Sequence, residues 1–314
     1  YGWCEVKPAA SARMILAACL LAAVLGGCGL GPGETEGSAD LLITKDYGST
    51  ELASKKVDDL TESTTVMRAL DSNADIETRY GGGFVSSIDG LANGIEGGRS
   101  LDWFYFVNGV AGSFGAAEFQ LEAGDQAWWD YRDWTSAMEA QAVIGAFPRP
   151  LAGGFNGSDP GVSLDCLGGG ATCDAVQSKL EDLGAKVARG SDPDRIRVLV
   201  GPWETVSQVP EAARLGKGPQ FSGVFARFEK AGGGFDLLGL DDHAAVARNF
   251  GPQAGLIAAT RQGGMPVWVV TAGSEEGLPA IVPAMTPELL AHHYAAVVFD
   301  GRIASIPLPG GGSR

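Results

Sequence analysis

The sequence predicts an α+β protein built from two folded units, and three observations lead there. Short apolar runs of strand length alternate with segments of helical period, and the breaks between them are rich in Gly, Asn and Asp. The 314 residues are 45% hydrophobic, which provides apolar material for two cores of ordinary size and excludes global disorder. Charge divides unevenly: residues 28–140 carry 20 acidic and 7 basic side chains, residues 141–314 carry 17 and 14. Such a contrast marks two units with different surfaces. The formal net charge of −15 argues against a nucleic-acid partner, because neutralising phosphates takes Lys and Arg.

In the first unit, residues 40–134, Leu41–Lys45 reads as a strand, Gly48-Ser49-Thr50 as a turn and Glu51–Val57 as the next strand. Thr61 and Ser63 offer N-caps for a helix to about Asp71, whose Val66, Ala69 and Leu70 share one face. Strands Asp75–Tyr80 and Phe84–Ile88 flank Gly81-Gly82-Gly83. The strongest strand, Leu101–Val107, ends in Asn108-Gly109, the turn chemistry of a hairpin. Gln126–Tyr131 is the last.

The second unit, residues 141–310, alternates helix and strand signals without resembling a known family. Ala142–Ala146 is strand-like, Thr172–Leu183 helical with Val176, Leu180 and Leu183 on one face, and Arg195–Val200 an apolar strand. Pro210–Leu215 is a short helix, and Phe221–Phe228 with Phe235–Leu240 form a hairpin around Gly232-Gly233-Gly234. Asp242 caps a helix to about Asn249. Strands Gly255–Thr260 and Pro266–Thr271 follow, then a helix opened by Thr286-Pro287 and a hairpin of Ala295–Phe299 with Ile303–Ile306. The pattern divides into two helix–strand–strand units, Thr172–Leu240 and Asp241–Ile306.

Ahead of both units, Met14–Leu25 is a continuous apolar run after Lys7 and Arg13, too short to span a bilayer as a stable helix. It ends in Leu25-Gly26-Gly27-Cys28, which resembles the lipobox of bacterial lipoproteins. The resemblance implies a signal peptide over residues 1–27, lipid on Cys28, and a protein held at the outer face of the cell membrane. Residues 28–39, rich in Gly and acid, read as a flexible tether. Of the five cysteines, Cys166 and Cys173 remain for an oxidising compartment, where a disulfide closing a short loop is the simple inference. A zinc site would need His ligands near them in sequence; His243, His292 and His293 all lie elsewhere. His292-His293 falls near a predicted helix C-terminus, where a positive charge is favoured.

Catalytic patterns do not emerge. There is no Gly-x-Ser-x-Gly, no metal or triad spacing around the three histidines, and no phosphate-loop or dinucleotide fingerprint among the Gly triplets. We therefore expect neither an enzyme nor a resident cofactor or metal.

Taken in series, Thr65-Val66 at a helix start, Tyr80–Gly90, Trp103–Gly109, and Gly124-Asp125 with Trp128 resemble the bacterial transcobalamin-like domain family, over about 95 of the 314 residues. That family has no established function and is similar to the C-terminal domain of transcobalamin and intrinsic factor. The resemblance implies a β-grasp fold for residues 40–134 and a small, cobalamin-like ligand. Strand alternation puts Trp103 and Tyr105 on one sheet face, Phe104 and Phe106 on the other. One helix covers one face, so the second needs a ligand, a partner or the C-terminal half of the chain. Tyr80, Gly81 and Gly82 can bring backbone close to a small molecule, and with Trp103 and Tyr105 they are the candidate ligand-binding residues. Two functions fit: a surface lipoprotein that binds a small soluble ligand without catalysis, or a structural or protein-interaction module of the cell envelope.

Overall fold

The computed structural model describes Gly2 and residues 37–232 and 234–310. Apart from Gly2, the expected signal peptide over residues 1–27, with Cys28 and residues 28–36 of the expected tether, lies outside the described residues. At its C-terminal end the expected tether is already structured: Leu60 N–H donates to the Gly37 carbonyl at 3.0 Å, and Ala39 is 2% exposed. Among the described residues no helix is long and apolar enough to cross a membrane.

The first unit is a β-grasp-like sheet. Strands β1 (Ala39–Lys45) and β2 (Thr50–Val57) form a hairpin, and helix α1 (Val66–Asp71) crosses over it. A small three-stranded sheet follows: β3 (Ile76–Arg79), β4 (Phe84–Ile88) and β5 (Leu91–Ala92). Then come β6 (Gly94–Glu96), the long β7 (Arg99–Val107), β8 (Val110–Ala111) and β9 (Gln126–Asp133). The main sheet runs β2-β1-β9-β7-β6, with β9 parallel to β1 and antiparallel to β7. Thr65, not Thr61 or Ser63, caps α1 by accepting the Arg68 N–H at 3.2 Å; Thr61 and Ser63 serve the preceding turn instead. At six residues α1 is too short to persist alone. It is held by burial of Val66, Met67, Ala69 and Leu70.

Period-two alternation sorts the main sheet into two faces. Leu41, Ile43, Leu101, Trp103, Trp129 and Tyr131 share a core with α1. Leu42, Phe106 and Trp128 point the other way, into a core shared with Phe225, Leu256, Tyr294 and Val297 of the second unit. The second cover demanded by the aromatic pattern is therefore the C-terminal half of the same chain, and the described residues from Gly37 onward belong to one compact unit.

The second unit alternates helices and strands on a seven-stranded sheet. It contains β10 (Val162–Cys166), α2 (Gly170–Asp182), β11 (Val187–Arg189) and β12 (Ile196–Pro202), then the short helices α3 (Trp203–Val206), α4 (Pro210–Ala213) and α5 (Pro219–Ser222). A separate three-stranded sheet is formed by β13 (Ala226–Ala231), β14 (Gly234–Leu240) and β15 (Val246–Gly251). Strands β16 (Gly255–Thr260) and β17 (Val267–Ala272), helix α6 (Pro287–Leu290), β18 (Ala295–Phe299) and β19 (Arg302–Ile306) finish the chain. The order is β11-β10-β12-β17-β16-β18-β19, with β11, β10, β12 and β17 parallel. Buried Val176 and Leu180 pack α2 into the core beneath this sheet.

Cys166, ending β10, and Cys173, in the first turn of α2, form a disulfide with Cα atoms 5.8 Å apart. The loop it closes is short, so chain entropy assigns it roughly 2.5 kcal/mol.

Several expectations are corrected. The segment expected as a helix from Asp242 to Asn249 instead contains β15, paired with β14. The Asp241 carboxylate accepts the His243 and Ala245 N–H groups at 3.0 and 2.9 Å, making a turn, and Val246 is 47% exposed, so a helix there would bury little. Ala142–Ala146 is a buried turn joined to β8 by one bridge, because an apolar run tells of burial and not of conformation. Phe221 belongs to α5, ahead of its hairpin. The halves Thr172–Leu240 and Asp241–Ile306 do not repeat: β11 and β12 both pair in parallel with β10, whereas β16 and β17 form an antiparallel hairpin.

Candidate ligand-binding site

A concavity beside the first unit's sheet follows from a gap in strand pairing. Strand β6 pairs with β7 only as far as Leu101, and pairing with β8 begins at Phe106 of β7. Asp102–Tyr105 therefore has no strand neighbour on that side. The Trp103 N–H turns there to the Asp102 carboxylate at 2.8 Å, and the Tyr105 carbonyl accepts the Gly112 N–H at 3.3 Å. Alternate residues of a strand send both backbone groups to the same side, so the Trp103 carbonyl and Tyr105 N–H also face the gap.

Around it lies a cleft of about 330 Å³, open to solvent, walled by Gly83–Val85, by Gly112, Gly115 and Ala116, and by Met138–Gln141. The small residues make the room. At Gly112 an added Cβ would sit 2.0 Å from the Tyr105 ring, so only glycine lets that ring lie flat against the loop. The Tyr105 hydroxyl donates to the Phe114 carbonyl, and burial pushes its pKa up to about 12, keeping it a neutral donor. Burial likewise raises the Asp102 carboxyl above its ordinary value.

Aromatic surface dominates the floor. The Tyr105 and Trp129 rings lie 5.2 Å apart, and the Arg132 guanidinium stacks over Phe104 with its carbon 3.9 Å from the ring centroid. Arg132 is 1% exposed. Its two terminal nitrogens donate to the Ala137 and Met138 carbonyls at 2.8 and 3.2 Å, drawing the linker between the units into the cleft wall. Two buried donors in these lining residues, Trp129 Nε1 and Arg132 Nε, have no acceptor among the described residues. Such orphans are uncommon.

Of the residues expected to bind, Trp103 and Tyr105 line the cleft. Trp103 is only 5% exposed, and its Nε1 donates to the Leu91 carbonyl at 2.9 Å, so it is chiefly a core residue and not the open-face aromatic the alternation suggested. The accessible aromatics are Phe104 and Tyr105. Tyr80 is 88% exposed with a positive φ of 54°; it, Gly81 and Gly82 form a turn just ahead of Gly83 without lining the cleft, and Tyr80 meets it only through an edge contact with Phe84. Phe104 as a contact, Trp129, Arg132 and the linker were missed. An arginine beside three aromatics, in Trp128-Trp129-Asp130-Tyr131-Arg132, was the available signal.

A second polar cluster lies at the junction of the units. Asp130, fully buried, accepts from Thr44 Oγ1 at 2.6 Å, Gly48 N–H at 3.0 Å and Tyr294 Oη at 2.9 Å, and Trp128 Nε1 donates to Thr44 at 2.7 Å. Burial raises the Asp130 pKa to about 6 despite these donors and Arg132. His293, beside it in sequence to Tyr294, is lowered to about 4 by burial and by His292. It is therefore neutral at pH 7, which corrects the expectation of a positive charge favoured at a helix end. The cluster is closed from solvent and has the character of an interdomain fastening. Among the described residues no group of three or more His, Cys, Asp or Glu is placed to hold a metal.

Residues 63–133 match the family model of a domain of unknown function (DUF4430). This span holds α1, β3–β9 and most of the cleft. No curated protein matches the chain. Among solved structures, the chain is similar to a candidate metal binding protein from Ruminococcus gnavus, at 17% identity and a TM-score of 0.26, covering 31% of this chain and 98% of that one. It is also similar to haptocorrin in complex with Cbi, at 13% identity and a TM-score of 0.25, covering 31% of this chain and 26% of haptocorrin. Likenesses of this size carry no argument about ligand.

Proposed function

We propose that this chain is a non-catalytic binding protein, held to the outer face of the membrane by lipid on Cys28, that takes a small ligand with flat apolar surface in the cleft beside β7. The supporting observation is the unpaired stretch Asp102–Tyr105, where accessible Phe104 and Tyr105 and free backbone groups meet in one hollow of about 330 Å³. That size and mixture of apolar lining with a few polar groups suits a small organic molecule. A cobalamin-like compound is one class to test. The alternative, an interaction module using the aromatic sheet face, loses its surface at Phe106 and Trp128, because the chain's own second unit covers them.

A thermal-shift screen of flat organic molecules, corrinoids included, should find a binder, and Phe104→Ala should weaken it by about 1–3 kcal/mol, the range for an aromatic anchor. Trp103→Ala serves as the contrast: it should cost about 3–5 kcal/mol of stability, as for other buried aromatics. No binder in the screen, or one indifferent to Phe104→Ala, would sink the cleft. For anchoring, Cys28→Ser should yield protein without a diacylglyceryl mass that no longer partitions with membranes. Retention of lipid on that variant would refute the lipobox assignment.

A further inference from the structure

The aromatic cleft does not end at its linker wall. Glu139 and Gln141 also line an adjoining polar hollow of about 290 Å³, whose other walls include Arg214, Gln220 and Arg261. Arg214 and Arg261 border a further hollow of about 170 Å³ on their far side.

Both arginines stand in a chain of net charge −15. Their neighbour Arg197 is neutralised by Asp165 at 2.7 Å and Glu211 at 3.1 Å. Arg214 and Arg261 have no carboxylate within 4.0 Å among the described residues. Arg214 donates from Nη2 to the Phe221 carbonyl, and its Nη1 is buried without an acceptor. Arg261 donates to the Gly264 carbonyl at 2.8 Å and the Ser113 hydroxyl at 3.3 Å. Burial pulls its pKa down with no counter-charge to oppose it. Ser113 follows Gly112 of the cleft wall, so Arg261 stands at the cleft's rim. Glu139, the one carboxylate facing this hollow, accepts from Gln141 Nε2 at 2.8 Å.

A part-buried guanidinium without a counter-charge is costly, and the group that relieves it is an oxyanion matched to its planar fork. We propose that Arg214 and Arg261 form an anion subsite continuous with the aromatic cleft, so that the ligand has a flat apolar body and a carboxylate, phosphate or sulfonate at one end. This rests on the cleft being the ligand site.

The test uses two dyes of nearly the same body on the purified protein: anilinonaphthalene sulfonate, which carries the acid, and N-phenylnaphthylamine, which does not. The sulfonate should bind at least about tenfold more tightly, the scale of a charged hydrogen-bonded contact. Arg214→Gln and Arg261→Gln should each weaken it about tenfold while leaving the neutral dye within about twofold. Sulfate should displace the sulfonate dye from the unaltered protein and spare the neutral one, which keeps the test valid if a variant misfolds. Equal affinities for the two dyes, or indifference to sulfate, overturns the subsite while the cleft stands on its binding of the neutral dye. Failure of both dyes to bind overturns the cleft and the subsite together.

Discussion

Replacing Trp128 with Ala should lower the unfolding free energy by about 3–5 kcal/mol, the range for deleting a large buried aromatic. Trp128 is fully buried on the sheet face turned to the second unit. Its ring lies 5.5 Å from Phe106 and 5.5 Å from Tyr294, and its Nε1 donates to Thr44. Truncation removes apolar area from both units at once and leaves the Thr44–Asp130 pair short of a donor. Backbone packs closely on the ring: a Cβ on Gly145 would lie 2.8 Å from it, and one on Gly48 would lie 2.9 Å from it and 1.9 Å from the His292 carbonyl. Urea melts followed by far-UV and by tryptophan signals should both shift, because the core spans the junction. Tyr80→Ala, at an 88% exposed position, should change stability by no more than about 0.5 kcal/mol. A Trp128→Ala loss no larger than that control would mean the two units do not share this core.

The second large effect concerns pH, and two groups oppose each other. The folded-state pKa of Asp130 is about 6, above its ordinary 3.8, so the folded chain holds this proton more tightly than the unfolded one. Its contribution to stability is full below pH 3.8 and is lost as pH rises through about 6. His293 runs the other way: its pKa falls from 6.5 to about 4, so its contribution is full above 6.5 and is lost as pH falls through about 4. Each shift corresponds to about 3 kcal/mol, and over pH 4–6 the two nearly cancel. Asp130→Asn should unmask the histidine, making the protein less stable by about 3 kcal/mol at pH 4 than at pH 6.5. His293→Asn should unmask the aspartate and reverse that slope. Other carboxylates contribute equally to each protein, so the difference between profiles is what counts. Identical profiles for Asp130→Asn and the unaltered chain would show that Asp130 does not titrate in this window.

Local chemistry made much of the first unit readable. Alternation along Leu101–Val107 sorted its side chains into two faces without saying which one α1 covers, Asn108-Gly109 marked the β7–β8 hairpin, and four motifs in series carried the β-grasp resemblance. The paired Cys166 and Cys173 were equally legible, since a loop that short keeps their Cα atoms within disulfide reach. These features depend on backbone period, turn geometry and short loops, all of which act over a few residues.

What lay beyond that range was decided by the folded chain. That Phe106 and Trp128 would be covered by Phe225 and Tyr294 depends on contacts spanning more than a hundred residues, which no local period encodes. The segment after Asp242 became a strand because β14 offered a partner and an isolated helix there had no apolar face to bury. The cleft arises from a gap in pairing between β6 and β8, and the meeting of Phe104, Arg132 and Arg261 around it from three separate stretches of sequence. Residue type told that aromatic and charged groups were present. Their convergence is a property of the sheet register and the junction, and so it exists only once both units have folded together.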